Sequence, residues 1–412
     1  MSAVFTKEMK QTHTILAPMM LPIHFEILTE LFESAGYHLE LLDTTNQHVI
    51  DDGLTYVHND ICYPAMLVIG QMIDALKSGR YHPDRTALLL TQTGGGCRAS
   101  NYIHLLRKAL ENAGFSQVPV ISLNLSGMEK KSAFHFTKGM LFKGLFVVLY
   151  GDLMMWISNQ CRPYELHPGD TKRVTDRWIA ELKRQLHNGK FLRVKDNYRK
   201  ILQDYAAIPR RKPDRVRVGI VGEIYMKYSP LGNNCLEETL IQEGAEPVVS
   251  GLMDFLLYCF SHQNTDQRLY GGKRKIVLAA VNWAVGYLIK RQNQMIQVIK
   301  EHGVFRAPVA FEQLYHMVDG YISHGAKMGE GWLLTAEMIE YVKSGVYNVV
   351  CTQPFGCLPN HIVAKGMIRK IKEEHPEANI VTLDYDPSAT KVNQENRLRL
   401  MLANAKAAQV KS

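Results

Sequence analysis

No two cysteines in this 412-residue chain are spaced as CxxC, which removes the CxxC zinc-pair reading of a cysteine-bearing sequence. No Gly-Lys-Ser/Thr follows a glycine-rich turn, and no GxGxxG opens the first strand–helix unit, so nucleotide binding has weak support. No apolar stretch reaches the roughly 18 residues of a membrane span. The nearest are Val277–Ile289 and Met140–Ile157, the second interrupted by Lys143 and Asp152. The N-terminus lacks the basic region and apolar core of a secretory signal. A cytoplasmic protein without membrane contact is the expectation.

A surplus of one charge across the whole chain is missing too. Lys and Arg number 48 against 40 Asp and Glu, a net +8. Residues Lys172–Arg217 contain 15 bases and 5 acids, +10, which leaves 33 against 35, or −2, for the rest. Basicity this regional does not describe a general nucleic-acid binder, and no nucleic-acid partner is expected. The segment is a candidate site for an acidic ligand, such as coenzyme A phosphates, or for an acidic partner; a solvated helix face is the plainer reading.

With 46% hydrophobic residues the chain has enough apolar surface to fold rather than stay disordered, and its length suits two or three domains. Thr14–Met19, Leu39–Leu42, Ala87–Thr91 and Val118–Leu123 read as strands, separated by helices such as His24–Ala35 and Tyr102–Ala113, each closed by a glycine. Such alternation indicates a covered parallel sheet. A helical, basic stretch runs to Ala207, and Pro209–Pro213 reads as a linker. The alternation then restarts with Val216–Val221 and Pro247–Gly251, pauses for a helical insertion over Phe255–Lys343, and resumes with Val346–Cys351 and Ile380–Asp384. The expected fold is α/β: two parallel-sheet domains, Rossmann- or flavodoxin-like, with helical insertions. The boundaries are 1–129, 130–213 for the basic helical segment, and 214–412.

Seven cysteines remain, an odd and scattered set that argues against a disulfide framework. Three share one context. Cys62 precedes Tyr63-Pro64, Cys97 follows Gly94-Gly95-Gly96, and Cys357 lies in Pro354-Phe355-Gly356-Cys357-Leu358-Pro359. Each stands before a helix, and the last two follow a strand, where open α/β sheets bind ligands. A helix N-terminus favours anions and is expected to lower thiolate pKa. Converging across a cleft, the three would hold a metal with a fourth position open. Cys351, Cys235 and Cys161 are weaker candidates, the last two in loop-like polar settings, and Cys259 reads as core. His361 and Glu330 are candidate acid–base groups, as is His324, although lone histidines are more often structural.

The motifs Asn59-Asp60-Ile61-Cys62-Tyr63-Pro64-Ala65, Gly95-Gly96-Cys97-Arg98-Ala99-Ser100-Asn101-Tyr102 and Gln353-Pro354-Phe355-Gly356-Cys357-Leu358-Pro359-Asn360-His361 resemble the 2-hydroxyacyl-CoA dehydratase-related proteins. The acyl-CoA dehydratase activase-related branch is the nearest likeness, and Arg162-Pro163-Tyr164-Glu165, Gly222-Glu223-Ile224-Tyr225 and Gly329-Glu330-Gly331-Trp332 extend it over most of the chain. The resemblance implies an oxygen-sensitive iron–sulfur cluster on Cys62, Cys97 and Cys357, with one iron open. It implies radical or reductive chemistry, an acyl-CoA substrate, a separate ATP-hydrolysing activase as electron donor, and a homo- or heterodimer. A [4Fe-4S] cluster is the expectation. A double-cubane [8Fe-9S] cluster is the alternative, drawing on Cys161, Cys235 and Cys351 as well. A non-catalytic cluster carrier is the other class of function. The chain departs from the long members of the branch in having no ATPase region.

Overall fold

The computed structural model describes residues 3–58, 61–92, 96–123, 132–211, 214–272 and 275–411. Asn59-Asp60, Gly94-Gly95 and Lys212-Pro213 of the segments singled out above lie outside the described residues.

Eight strands form two four-stranded parallel sheets. The first holds β1 (Thr14–Pro18), β2 (His38–Leu42), β3 (Thr86–Thr91) and β4 (Val120–Leu123) in the order β2-β1-β3-β4. The second holds β5 (Val216–Gly222), β6 (Ala245–Val249), β7 (Asn348–Pro354) and β8 (Asn379–Tyr385) in the order β6-β5-β7-β8. The two thus repeat one topology, and the expected α/β architecture of two parallel-sheet domains is present. Central strands are apolar because both faces are covered: Ile15 and Leu16 in β1, and Val218 and Ile220 in β5, have almost no exposure. Register places Ile15 between Leu39 and Ala87, and Val349 between Gly219 and Ile380. In each sheet the chain reverses its winding at the central pair, β1/β3 and β5/β7. A cleft therefore opens beyond the carboxyl ends of each pair.

The helices that matter for the site are α1 (Pro22–Ser34), α2 (Gln47–Tyr56), α3 (Tyr63–Lys77) and α4 (Tyr102–Asn112) in the first half. Next come α5 (Lys138–Asn159), α6 (Asp170–Asn188) and α7 (Val194–Ala206), then α8 (Ile224–Tyr228), α9 (Leu236–Gln242), α10 (Leu252–Tyr270), α11 (Lys275–His302) and α12 (Trp332–Lys343). A last helix, α13 (Lys391–Lys411), packs Leu398, Met401 and Leu402 into the core. Helices α5–α7 share one apolar core with α10, α11 and the start of α12, through Tyr150, Tyr198, Leu257, Ile299 and Trp332.

Helix α5 departs from the sequence reading: it is long and apolar enough to cross a membrane by length and composition, because Lys143 and Asp152 dilute it too little. Most of it is buried inside the protein. The basic stretch also resolves into local pairs. Lys172–Asp176, Arg173–Asp170, Arg177–Asp204, Lys183–Glu26, Arg184–Glu181 and Arg199–Glu301 are ion pairs, which leaves less free charge for a partner than the count suggests.

Asp152 shows why a charge is tolerated in α5. Its carboxylate accepts from the N–H groups of Leu252 at 2.7 Å and Met253 at 2.8 Å, capping α10, and lies 2.8 Å from Nε2 of the buried His24. Asp152→Ala removes the cap and strands the imidazole without a partner. The expected loss is about 2–4 kcal/mol of stability, read as a lowered midpoint in denaturant unfolding; an unchanged midpoint contradicts this role.

Candidate cleft between the two sheets

Cys62 is the N-cap residue of α3, with Pro64 in the first turn, and it is buried. Its Sγ lies 2.9 Å from the hydroxyl of Tyr102, the first residue of α4. The second domain reaches it directly. Tyr63 N–H donates to the carbonyl of Phe355 at 3.0 Å, and Gly356 lies against the Cys62 backbone. A Cβ on Gly356 would stand 3.0 Å from Cys62 Cα, and the glycine has φ +72°. Only glycine suits that conformation at that separation without strain.

Cys357 follows one residue later and is buried, with the Asn360 side-chain amide donating to its Sγ at 3.4 Å. Cys97 is half-buried and caps the short helical turn Arg98–Asn101 that leads into α4. Its neighbour Gly96 faces Met328, whose Sδ would be 2.6 Å from a Cβ there. Gly329 in turn approaches Pro359, and its carbonyl accepts from the Tyr258 hydroxyl at 2.9 Å. Loops carrying all three predicted cysteines therefore meet, with the 328–331 loop as a fourth wall.

Two carboxylic acids complete the cleft. Glu330 is buried and accepts from Ile224 N–H at 3.0 Å; Glu223 accepts from Met226 N–H at 2.9 Å. Both carboxyls are thus drawn to the first turn of α8. Burial, then Glu330, pushes Glu223 up to about 8, and burial raises Glu330 as well. Each acid's enclosure, and their mutual repulsion, favour the protonated form, so ionising both at once is disfavoured. Glu330 was a sequence candidate; Glu223 was visible only as part of a motif.

The thiols depart from expectation. Burial raises Cys62, pushes Cys97 up to about 11 and drives Cys357 higher still, with Glu330 and Glu223 adding to the last two. Desolvation and nearby carboxyls outweigh the favourable helix N-termini. Ligand binding here must displace protons from sulfur.

The other candidates fall elsewhere. Cys161 is fully buried under the helical layer rather than in a polar loop, 3.5 Å from Nη1 of Arg210, because the turn after α5 packs beneath Tyr205. Cys235 is exposed, with φ +57°, between short helices. Cys351 is buried in β7, its thiol 3.8 Å from the Asn360 side-chain oxygen. Cys259, read as core, is exposed on α10. His361 is exposed and held by Gln353, while His324 stacks on Tyr315 and bonds its carbonyl at 2.9 Å, a structural role. A cavity of about 100 Å³ bounded by Arg217, Glu246, Arg306 and Glu340 runs along β6 from Glu246 to Val249 and is lined by none of the cysteines.

No group of three or more His, Cys, Asp or Glu side chains is arranged around a single ion among the described residues. Thiolates of a cubane bind different irons and stand further apart than ligands of one ion, so a cluster and a mononuclear metal place different demands here. The donor set, three soft sulfurs on three loops, fits a cluster. No family model matches the chain, and no curated protein matches it.

The acid pair predicts a pH signature. Glu223 has a folded-state pKa above its unfolded value, so its contribution is intact below about pH 4.5 and is lost as pH rises toward about 8. Glu223→Gln removes the ionisation. Its melting temperature is expected to gain on the parent's steadily from pH 5 to pH 8; a difference independent of pH contradicts a proton-holding pair.

Proposed function

We propose that this chain carries an iron–sulfur cluster on Cys62, Cys97 and Cys357 and uses it in low-potential reductive or radical chemistry of the 2-hydroxyacyl-CoA dehydratase-related kind. The observation that carries the reading is the contact of the Cys357 loop with Cys62, by Tyr63 N–H to Phe355 and by Gly356 against the Cys62 backbone. It joins one domain's thiols to the other's at the carboxyl edges of both sheets. Sulfur-only donors favour an iron–sulfur cluster over hard cations. When bound, the cluster supplies one-electron chemistry, with one iron left without a protein ligand.

The chain's own residues do the rest. Tyr102 orients the Cys62 sulfur, and Asn360 donates to that of Cys357. Glu223 and Glu330 keep one proton at the cleft wall, where a reduced substrate needs it. Met328, Phe355 and Leu358 are exposed on the surrounding loops, an apolar rim suited to the acyl part of an acyl-CoA. The proton-holding pair favours an enzyme over a cluster carrier, since electron transfer alone needs no proton store. Without a nucleotide loop, the chain takes its electrons from a separate ATP-hydrolysing activase, and an oxygen-sensitive cluster belongs in the cytoplasm. A single four-iron cluster is the better match, because Cys161 lies beneath the helical layer beside Arg210 and Cys235 is exposed between short helices. That leaves Cys351, one Asn360 side chain from Cys357, which by itself is too few further thiols for a second cubane.

Anaerobic isolation is expected to give a brown protein with about four irons per chain, colour that fades in air, and no intrinsic ATP hydrolysis. Ser at Cys62, Cys97 or Cys357 strips or destabilises the cluster, whereas Cys161→Ser and Cys259→Ser retain it. Stoichiometric zinc in place of iron, or parental iron content in all three cleft variants, overturns the assignment.

A further inference from the structure

One segment stands apart from the cleft and gives only one of its faces to the core. Helix α11 is apolar from Ile276 to Ile289 apart from Asn282. One face of it packs inward through Val285, Leu288 and Ile289. The other face is bare: Ile276 is 78% and Trp283 75% exposed, and Val277 is also open to solvent. The end of α10 beside it adds Leu269 and Tyr270, the last 76% exposed. Asn264 donates to the Asn282 side chain at 2.7 Å, tying the two helices into one hairpin. Ile276, Ala280 and Trp283 follow a 4-3 spacing, which stacks them along one exposed stripe that ends at Tyr287, half-buried against the core.

An apolar helical run of about 10–14 residues is either a core helix or an interfacial segment, being too short to span a bilayer. The exposure of Ile276 and Trp283 excludes the core reading for the outer half. Charge then selects the occupant. Between Asp266 and Glu301 the chain has seven Lys or Arg and no carboxylate. Arg268, Lys275 and Lys290 are exposed, and ion pairs to them are absent among the described residues. A second copy docked hairpin to hairpin would oppose like charges. A surface that is at once apolar and anionic complements both features.

We propose that the outer end of the α10–α11 hairpin binds an anionic membrane surface peripherally, with Ile276, Trp283 and Tyr270 seated at the headgroup boundary and Lys275 and Lys290 against the lipid charges. Such contact needs no spanning helix, and it departs from the expectation of no membrane contact, which rested on span length. It is independent of the cluster assignment.

The test uses the full chain, sedimented with vesicles of phosphatidylcholine alone or mixed with phosphatidylglycerol. Binding is expected only to the anionic vesicles, weakening with salt as exposed charges are screened. Each basic residue near the surface is worth about fivefold, so Lys275→Gln with Lys290→Gln should bind about 25-fold more weakly. Trp283→Ser should lose binding, and Trp283→Phe should keep it while losing the blue shift of tryptophan emission. These side chains are exposed, so circular dichroism should confirm an unchanged fold. No binding to anionic vesicles at low salt, or equal binding to both kinds, overturns the proposal. So does a dimer in sedimentation equilibrium that Trp283→Ser dissociates, which would make the face a copy-to-copy interface.

Discussion

The structure depends on one backbone contact between domains. Tyr63 N–H donates to the Phe355 carbonyl, and Gly356 then has to turn with positive φ directly over Cys62. The donor sits in the first turn of α3, where N–H groups lack intrahelical partners. The acceptor, Phe355, directly follows β7, one of the two central strands of the second sheet. Each group is otherwise left over by its own domain, so the clasp satisfies both. The same core runs across the boundary, from Val68 and Ile103 to Met226 and Leu383, so the cleft is set by packing on either side rather than by loops alone.

Within that frame, electrostatics runs opposite to the simplest argument from helix ends. A helix N-terminus stabilises an anion by roughly 0.3–1 kcal/mol at exposed sites, whereas burying a charge costs more than that. Cys62, Cys97 and Cys357 are accordingly pushed toward the thiol form, and Glu223 and Glu330 toward the protonated acid. Arg98 acting on Cys62 and Lys227 acting on Glu330 offset only part of the burial cost, and an iron–sulfur core would add further positive charge. Binding of the proposed cluster would therefore be coupled to loss of protons from the three sulfurs.

Much of the fold was legible because parallel strands covered on both faces appear as unbroken apolar runs, as in Ala87–Leu90 and Val216–Val221. Boundaries drifted where polar residues are buried in the sheet: Glu246 hid the start of β6, and Thr352 and Gln353 hid the end of β7. The three cysteines were legible from turn context. Glu223 was not, since a single acid after a strand carries no signal until the fold brings Glu330 to the same helix turn. Cys259 was misread because Phe255–Phe260 is apolar at every position, and periodicity then cannot say which face is inside. Cys161 was misread because Arg162-Pro163 suggests a loop, while the turn it forms is packed beneath α7.

The measurement closest to the central claim is low-temperature paramagnetic resonance on the anaerobic protein reduced with a low-potential donor, in parent and in Cys357→Ser. A fast-relaxing iron–sulfur signal that appears on one-electron reduction, and is lost or altered in the variant, is the predicted result. A parent that gives no such signal in any redox state, although folded and isolated without oxygen, contradicts a cluster held between the two sheets.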